Sequence, residues 1–575
     1  MALAQQLTPL FQEFIKLLQL DNANSFKIIA YQKAVEALAS GSVDWELHVK
    51  NKTLTQVDGI GKGIAEKIEE FASTGALAEL VELREKYPSG LLEMLEIPGF
   101  GAKKARAVFE ELGVATLAEL KAACEDGRVA GLKGFGAKSA QNILKGIVQL
   151  QEHAGRHRLD EAWRAALPLL EFLRGVSAVE TVEVAGSLRR SRETVKDLDF
   201  VCATREPLAV MAAFCAHGEV ERVVGQGDTK ASVVLRSGLN ADLRCVTPEQ
   251  FPFTLQHFTG SKEHNTALRS RAKELGLKSN EYGLFREGEE VSLPAATEAD
   301  VYRHLQLEWI APERRENHGE IEQAARGTQP KLIEHADLCG ILHLHTTFSD
   351  GKPTLREYAE WAAVQGIRWM GISDHSQTAS YAGGMTPDRV HQQWREIEAL
   401  NAEFAPRNVR LLKGVESDIL RDGSLDYEDE LLAGFDFIIA SVHSLFNLSE
   451  EEQTARIIRA VEHPRTTILG HLTGRLLLKR ESYALNIREV ITACARNGVA
   501  IEINCNPYRL ELDWRHLGFA LEQGVKVCLS PDAHAMEGLG DVCYGLGIAR
   551  KGGCTSADVL NTLPEGWRKP LPSSR

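Results

Sequence analysis

The spacing of apolar residues changes three times along this chain, and each change predicts a different kind of element. Residues 1–150 repeat apolar positions at helical spacing, broken by short Gly-rich turns, which predicts a set of amphipathic helices. The opening "MALAQQLTPLFQEFIKLLQL" carries Glu13 and Lys16 inside its apolar pattern and no small-residue cleavage site. It reads as one of these helices rather than a signal peptide. Residues 151–250 switch to mixed α/β character, with strands expected at "VETVEVAG", "LDFVCAT", "KASVVLR" and "ADLRCVT". Residues 251–318 are helical at both ends around a polar middle suited to a small hairpin. Residues 317–332, with Gly, Pro and no firm period, read as a linker. From 336 onward, short runs rich in Ile, Val and Leu alternate with stretches able to form helices. That is the pattern of buried parallel strands in an α/β barrel.

Nine metal-capable side chains sit at or just past the ends of those last runs. His343, His345 and Asp350 follow "CGIL", His375 follows "WMGIS", Glu416 follows "RLLKGV" and His443 follows "FDFIIASV". His471 closes "TTILG", and Asp532 and His534 close "KVCLS". Carboxyl ends of barrel strands form the face where catalytic loops converge. A lone buried His is usually a satisfied core residue, but six strands delivering ligands to one face are not explained that way. Imidazole and carboxylate without thiolate suit Zn, Mn or Fe in a hydrolytic centre. Nine ligands exceed the needs of one ion and suffice for two or three, which together can bridge a phosphate.

The segment 336–575 resembles the polymerase-and-histidinol-phosphatase (PHP) phosphoesterases through "HLHTTFSDG", "SDH", "GVE", "SVH", "GH" and "DAH". The resemblance implies a distorted seven-stranded barrel with every family metal position filled.

Three copies of one template occupy the helical region: "VDGIGKGIAEKIEEF" (57–71), "IPGFGAKKARAVFEEL" (97–112) and "LKGFGAKSAQNILKGI" (132–147). Each places an apolar residue inside G-x-G and then starts a Lys-bearing helix. Gly59 and Gly61, Gly99 and Gly101, and Gly134 and Gly136 would let backbone approach a phosphate, and the helix N-terminus offers free N–H groups. Lys62, Lys103, Lys104, Arg106 and Lys138 add charge without reading bases. The repeat is similar to the helix-hairpin-helix module of DNA repair proteins.

In "VEVAGSLRRSRETVKDLDFV" (182–201) a strand runs into Gly186-Ser187, a turn able to cradle a triphosphate, with Arg189, Arg190 and Arg192 close behind. Asp197 and Asp199 are alternate residues of an apolar strand and share a face. Asp242 opens another strand. Three carboxylates can hold two Mg²⁺ or Mn²⁺ ions for in-line phosphoryl transfer. D-x-D alone would read as a solvated edge strand; the Gly-Ser turn and the third Asp change that. The arrangement resembles the nucleotidyltransferase palm of X-family DNA polymerases, as does "HFTGSKEHNTALR" (257–269).

Carried over by motif, the resemblance implies that Gly186, Ser187 and Arg190 bind the nucleotide phosphates and that Phe258 and Gly260 contact its sugar. It also places Asn265 and Arg269 toward the minor groove; of the three carboxylates, Asp242 is the group expected to deprotonate the primer 3′-OH. His257 stands where the family commonly has Tyr. "GIAEKIEEF" matches the family segment whose Lys forms a Schiff base in removing a 5′ deoxyribose phosphate, which places Lys67 there. Gly63 replaces a neighbouring family lysine, and a solvated surface residue is the other reading of Lys67.

Composition bounds these expectations. The 575 residues exceed one core, and no apolar run is long enough to span a bilayer. Ten scattered cysteines without a C-x-x-C pair predict reduced thiols and a cytoplasmic protein. Net charge is −14, and residues 1–330 hold 40 Lys plus Arg against 47 Asp plus Glu. Any nucleic-acid binding must therefore rest on local patches.

The whole chain thus resembles X-family polymerases with a C-terminal PHP domain. The expected architecture is multidomain. Residues 1–85 form an α-helical lyase-like DNA-binding domain, 86–150 a helix-hairpin-helix subdomain and 151–250 an α/β nucleotidyltransferase palm. Residues 251–318 form an α+β thumb or nucleotide-selection subdomain, 319–335 a linker and 336–575 a distorted (βα)7 PHP barrel. Palm and barrel are expected to have separate cores. The expected function is gap-filling synthesis in base excision repair by a monomer acting on gapped or primer-template DNA with deoxynucleoside triphosphates. Mg²⁺ or Mn²⁺ would serve the palm. Two or three Mn²⁺ or Zn²⁺ ions in the barrel would serve a 3′–5′ exonuclease, with abasic-site cleavage or 3′-phosphate removal as further activities. The alternatives are a barrel that dephosphorylates a small molecule such as histidinol phosphate, and an inactive barrel in a gap-binding protein.

Overall fold

The computed structural model describes residues 3–39 and 43–564. The chain folds as two compact units, Met1–Ala154 and Gly155–Arg575.

Among the described residues the first unit has helices and no strand, and its helices meet over Phe11, Phe14, Leu17, Ile68, Leu91 and Val108, all nearly inaccessible. Phe11 and Phe14 both lie edge-on to Tyr31, with centroids 5.1 and 4.8 Å apart, the arrangement ring quadrupoles favour.

In the second unit helix Leu159–Arg174 leads into a five-stranded sheet: β1 (Thr181–Val184), β2 (Asp197–Ala203), β3 (Val220–Gln226), β4 (Lys230–Leu235) and β5 (Asn240–Val246). Their order is β1-β2-β5-β4-β3, with β2 and β5 parallel and the other pairs antiparallel. Four of these strands were expected. β3 was not, because residues 221–230 are all exposed on the sheet edge and show no alternation of burial.

A hairpin, β6 (Leu277–Asn280) and β7 (Gly283–Arg286), sits as expected between helices Lys262–Glu274 and Glu298–His304. The stretch read as a linker instead carries a helix, Glu320–Arg326. Its Ile321 and Ala324 join the core of the preceding helices. Its buried Glu320 accepts from the backbone of Asn317 (2.8 Å) and His318 (2.6 Å) and bonds His264 Nδ1 at 2.6 Å. Tertiary partners supplied what the local sequence period lacked.

Seven parallel strands follow: β8 (Gly340–Leu344), β9 (Trp369–Ile372), β10 (Arg410–Asp418), β11 (Phe437–Ser441), β12 (Ile468–Leu469), β13 (Ala500–Asn504) and β14 (Val527–Ser530). They pair in chain order. A bridge between Leu344 and Ala533 brings the two ends together, giving the distorted barrel. Leu342, Trp369, Leu412, Phe437 and Ile468 fill its interior, so it is a packed core rather than a pore.

The expectation of separate cores fails. One contiguous set of buried residues runs from Leu159–Cys245 of the palm region into Ile333–Val559 of the barrel region. Partly buried Trp163, Tyr544 and Leu546 pack against it. Among the described residues no helix is long and apolar enough to cross a membrane.

Candidate active sites

The barrel brings all nine expected side chains together. Glu416 is the hub: its carboxylate lies 3.3 Å from His343 Nε2, 3.0 Å from His375 Nδ1, 3.2 Å from His443 Nε2 and 3.0 Å from His471 Nε2. Three ligand groups emerge. His345, Asp350, His375 and His534 form one, His343, His345 and Asp532 a second, and His375, Glu416 and His443 a third.

Local backbone makes this convergence. The β8–β9 register slips between Leu342 and Leu344, and His343 there has φ 66°, with Asp532 at φ 53° across the closing bridge. A bulge re-aims a side chain, and strained backbone of this kind clusters at functional sites.

Several buried atoms of the cluster have no hydrogen-bond partner: His343 Nε2, both His345 nitrogens, His375 Nδ1, Glu416 Oε2 and His471 Nδ1. Orphaned buried polar atoms are rare, and divalent cations held among His343, His345, His375 and Glu416 would satisfy those that face the cluster. The residues therefore fit the metal cluster.

Electrostatics agree with a site built for cations. Burial drives His345 down to about 4. Burial also opposes charge on His443, but Glu416 and Asp418 overcome it and carry that group up to about 10. In His534 burial is likewise overcome, by the hydrogen bond to Asp350 and the charge of Asp532, and the group rises to about 9. Glu416 is held well below the usual carboxylate range despite its burial, by His443, His343 and His375.

Sequence reasoning missed the groups that orient these ligands. Glu502, on β13, the one barrel strand that carries none of the nine predicted ligands, bonds His343 Nδ1 and accepts from the backbone N–H of His471 at 2.6 Å. Asp418 bonds His443 Nδ1 at 2.6 Å. Asp374 accepts from Thr346 N (2.7 Å), Thr346 Oγ1 (2.7 Å) and Gln393 Nε2 (2.6 Å), and from Ser349 Oγ. It thereby pins the loop that carries Asp350. Ligating His residues almost always use their second nitrogen in this way, so an acid on a neighbouring strand was the available signal. Arg509 places a fixed positive charge 3.8 Å from Asp532.

The palm assembles its three carboxylates as the motif implied. Asp199 and Asp242 are register partners on parallel β2 and β5, and Asp197 pairs with Asn240. Burial, then the charges of Asp197 and Asp242, push the Asp199 carboxyl up to about 7. Lys230 Nζ lies 2.9 Å from Asp242 and stands as its counter-ion. Gly186 has φ +60°, and a Cβ there would lie 2.2 Å from Asp199 Oδ2, so the turn and the carboxylate are in direct contact.

The arginines behind that turn are all engaged. Arg189 forks onto Glu298 at 2.9 and 2.6 Å. Arg190 bonds Glu316 (3.1 Å) and the Thr259 carbonyl, and Arg192 reaches Glu316 at 3.4 Å. Gly260 lies against Arg190, a Cβ there falling 2.9 Å from its guanidinium. Phe258 carries the Arg244 guanidinium over its ring at 4.4 Å. Asn265 is turned inward, accepting from Gln256 (2.9 Å) and donating to the His257 carbonyl (2.7 Å), and Arg269 bonds the Asn265 carbonyl at 3.3 Å.

The three Gly-rich turns of the helical unit share one geometry. Gly59, Gly99 and Gly134 have φ of 80°, 73° and 86°, and Gly61, Gly101 and Gly136 cap the next helix in extended conformation. The middle residues Ile60, Phe100 and Phe135 donate three residues back, to Val57, Ile97 and Leu132. Open space surrounds the added Cβ position at Gly61, Gly99, Gly101, Gly134 and Gly136. Lys62, Lys103 and Lys138 are exposed, whereas Lys104 bonds the Gly99 carbonyl at 2.9 Å and Arg106 reaches back to the Leu20 carbonyl at 3.4 Å. Lys67 pairs with Glu70 at 2.8 Å, the opposite of the cationic neighbour that imine chemistry uses.

Repeated Gly-rich helical turns, a carboxylate palm and a histidine-rich barrel together define a class: a DNA-binding nucleotidyltransferase fused to a divalent-metal phosphoesterase. Comparison with known proteins agrees along the chain. Residues 3–77 match the helix-hairpin-helix domain, 91–148 the SAM-like helix-hairpin-helix tandem, 254–316 the DNA polymerase beta thumb and 342–506 the PHP domain. The DNA polymerase/3′-5′ exonuclease PolX of Bacillus subtilis (strain 168) is 41% identical over 554 residues, covering 95% of each chain. The chain belongs to the X-family DNA polymerases that carry a C-terminal PHP domain. A probable phosphatase of Thermoanaerobacter sp. (strain X514) is 30% identical over 236 residues, 39% of this chain and 90% of its own. One of Shewanella sediminis (strain HAW-EB3) is 27% identical over 236 residues, 39% of this chain and 89% of its own.

Proposed function

We propose that the protein fills short gaps in DNA with its palm and removes 3′ nucleotides with its barrel, as a cytoplasmic monomer serving base excision repair. The observation that carries this reading is that one chain holds a three-carboxylate cluster and a histidine-rich barrel cluster, downstream of three Gly-rich turns, and matches a polymerase/exonuclease over nearly its full length. Similarity to the probable phosphatases is confined to about two fifths of the chain, and a small-molecule phosphatase has no use for those turns.

In the palm, Asp197, Asp199 and Asp242 would hold Mg²⁺ or Mn²⁺, and Asp242 would take the proton of the primer 3′-OH. The Gly186-Ser187 turn and Arg190 would orient the triphosphate, and Phe258 and Gly260 its sugar. In the barrel, His343, His345, Asp350, His375, Glu416, His443, His471, Asp532 and His534 would hold two or three Mn²⁺ or Zn²⁺ ions. Such ions supply charge neutralisation and a nucleophile at neutral pH. Glu502 and Asp418 orient their histidines, and Arg509 adds a cation for the phosphate. At Lys67 the pairing with Glu70 gives a lyase role no support.

Primer extension and degradation of full-length Asp242→Ala and His343→Ala test this. The first should lose extension and keep Mn²⁺-stimulated degradation of 3′ ends, and the second should do the reverse. Hydrolysis of histidinol phosphate with no DNA degradation by the wild type would transfer the barrel to the phosphatase reading.

A further inference from the structure

A buried ion cluster joins the barrel to the phosphate turn of the palm. Glu316 has a side chain only 7% exposed and faces three cations: Arg190 Nε at 3.1 Å, Arg192 at 3.4 Å and Lys551 Nζ at 2.5 Å. Lys551 comes from the last long barrel helix, Val542–Gly552, and its side chain is 0% exposed. Its ammonium also donates to the carbonyls of Arg190 (2.8 Å) and Glu313 (3.2 Å). All three of its N–H donors thus have acceptors. The same helix presses its Gly547 on the turn: a Cβ there would meet Ser191 Oγ at 2.8 Å.

Arg190 is tied to Glu316 and cannot grip a phosphate with the same nitrogens. For it to turn away, Glu316 must stay compensated, because a buried carboxylate stripped of its partners is strongly destabilising. Arg192 is partly exposed and longer in its contact, with a side chain 31% accessible. Lys551 is the buried, fully bonded cation that remains.

We propose that Lys551, a residue of the exonuclease barrel, is a positioning residue for DNA synthesis. It keeps Glu316 compensated so that the Arg190 guanidinium can engage the triphosphate of the incoming nucleotide, and its bond to the Arg190 carbonyl holds the turn in register. This rests on the reading of the Gly186–Arg190 turn as the triphosphate site.

The test is steady-state single-nucleotide insertion on gapped DNA by full-length variants, with 3′-end degradation measured in parallel. Lys551→Met should raise KM for the deoxynucleoside triphosphate roughly 10- to 100-fold, the worth of one hydrogen bond to a charged group, and leave degradation unchanged. Lys551→Arg should restore most of the loss. Adding Glu316→Gln to Lys551→Met should also return KM toward wild type, because the uncompensated charge is gone; a lysine that merely glued two domains would not be rescued so. If Lys551→Met misfolds and loses both activities, the double variant Lys551→Met/Glu316→Gln decides, since it removes the buried cation and its carboxylate together and should keep KM near the wild-type value. An increase of roughly tenfold or more there, or an unchanged KM in folded Lys551→Met, overturns the proposal. Arg190→Met is the control on the premise: if it does not raise KM, Arg190 is not a triphosphate ligand and the palm reading itself fails at that residue.

Discussion

Gly186→Ala is the smallest change that should stop synthesis. The glycine has φ +60°, and the new Cβ would lie 2.2 Å from Asp199 Oδ2, where ordinary contact begins at 3.4 Å. Two penalties follow. A side chain in left-handed backbone costs about 1–2 kcal/mol, which the large shared core of palm and barrel can absorb. The second penalty falls on catalysis. Asp199 sits in mid-sheet with Asp242 as its register partner, so its carboxylate must retreat by about 1 Å or the turn must lift away. A misplacement of about 1 Å at a reacting centre costs on the order of 10²-fold in rate, or about 2.7 kcal/mol of barrier. Single-turnover extension of a gapped primer, with thermal unfolding to confirm folding and 3′-end degradation as the internal control, measures this directly. A folded variant that extends within about threefold of wild type, against the roughly 10²-fold expected, would refute the argument that contact between the turn and Asp199 sets the metal geometry.

Further outcomes are expected elsewhere. Glu502→Gln keeps shape but loses the carboxylate that orients His343 and caps the His471 N–H. Metal affinity of the barrel should fall roughly 10- to 100-fold, and an unchanged titration of the metal-free protein would count against that role. His443 and His534, raised to about 10 and about 9, are protonated at neutral pH in the metal-free protein, and a cation must displace those protons. Affinity should therefore rise with pH, and calorimetry in buffers of different ionisation enthalpy should record proton release; binding without release would contradict it. Reversing Lys103 and Lys104 to Glu should weaken DNA binding about equally for all sequences and reduce the salt slope by about 1.8, for two lost phosphate contacts. An unchanged slope would make that turn an ordinary helix connection.

Some of this protein is written in short-range pattern. The nine barrel ligands were legible because each closes an apolar strand, and strand ends converge in a barrel whatever the loops do. Asp197 and Asp199 were legible because alternate residues of a strand share a face. The three G-x-G turns were legible because a left-handed glycine followed by an extended one is a local demand of the backbone, met three times. Tertiary structure decided the rest. Glu502 reads as one acid in an apolar run, and its partner His343 lies 159 residues earlier. Lys551 reads as a surface lysine at a helix end, yet it is buried against a carbonyl 361 residues away. The edge strand β3 has no burial pattern to reveal it, and the helix Glu320–Arg326 forms where propensity alone suggested a linker. The edge strand stays hidden because neither of its faces is buried, and the other three share one physical reason. Hydrophobic period and turn geometry are set by neighbours in the chain, whereas the partner that neutralises a buried charge, or covers an otherwise marginal helix, is chosen only when distant segments pack.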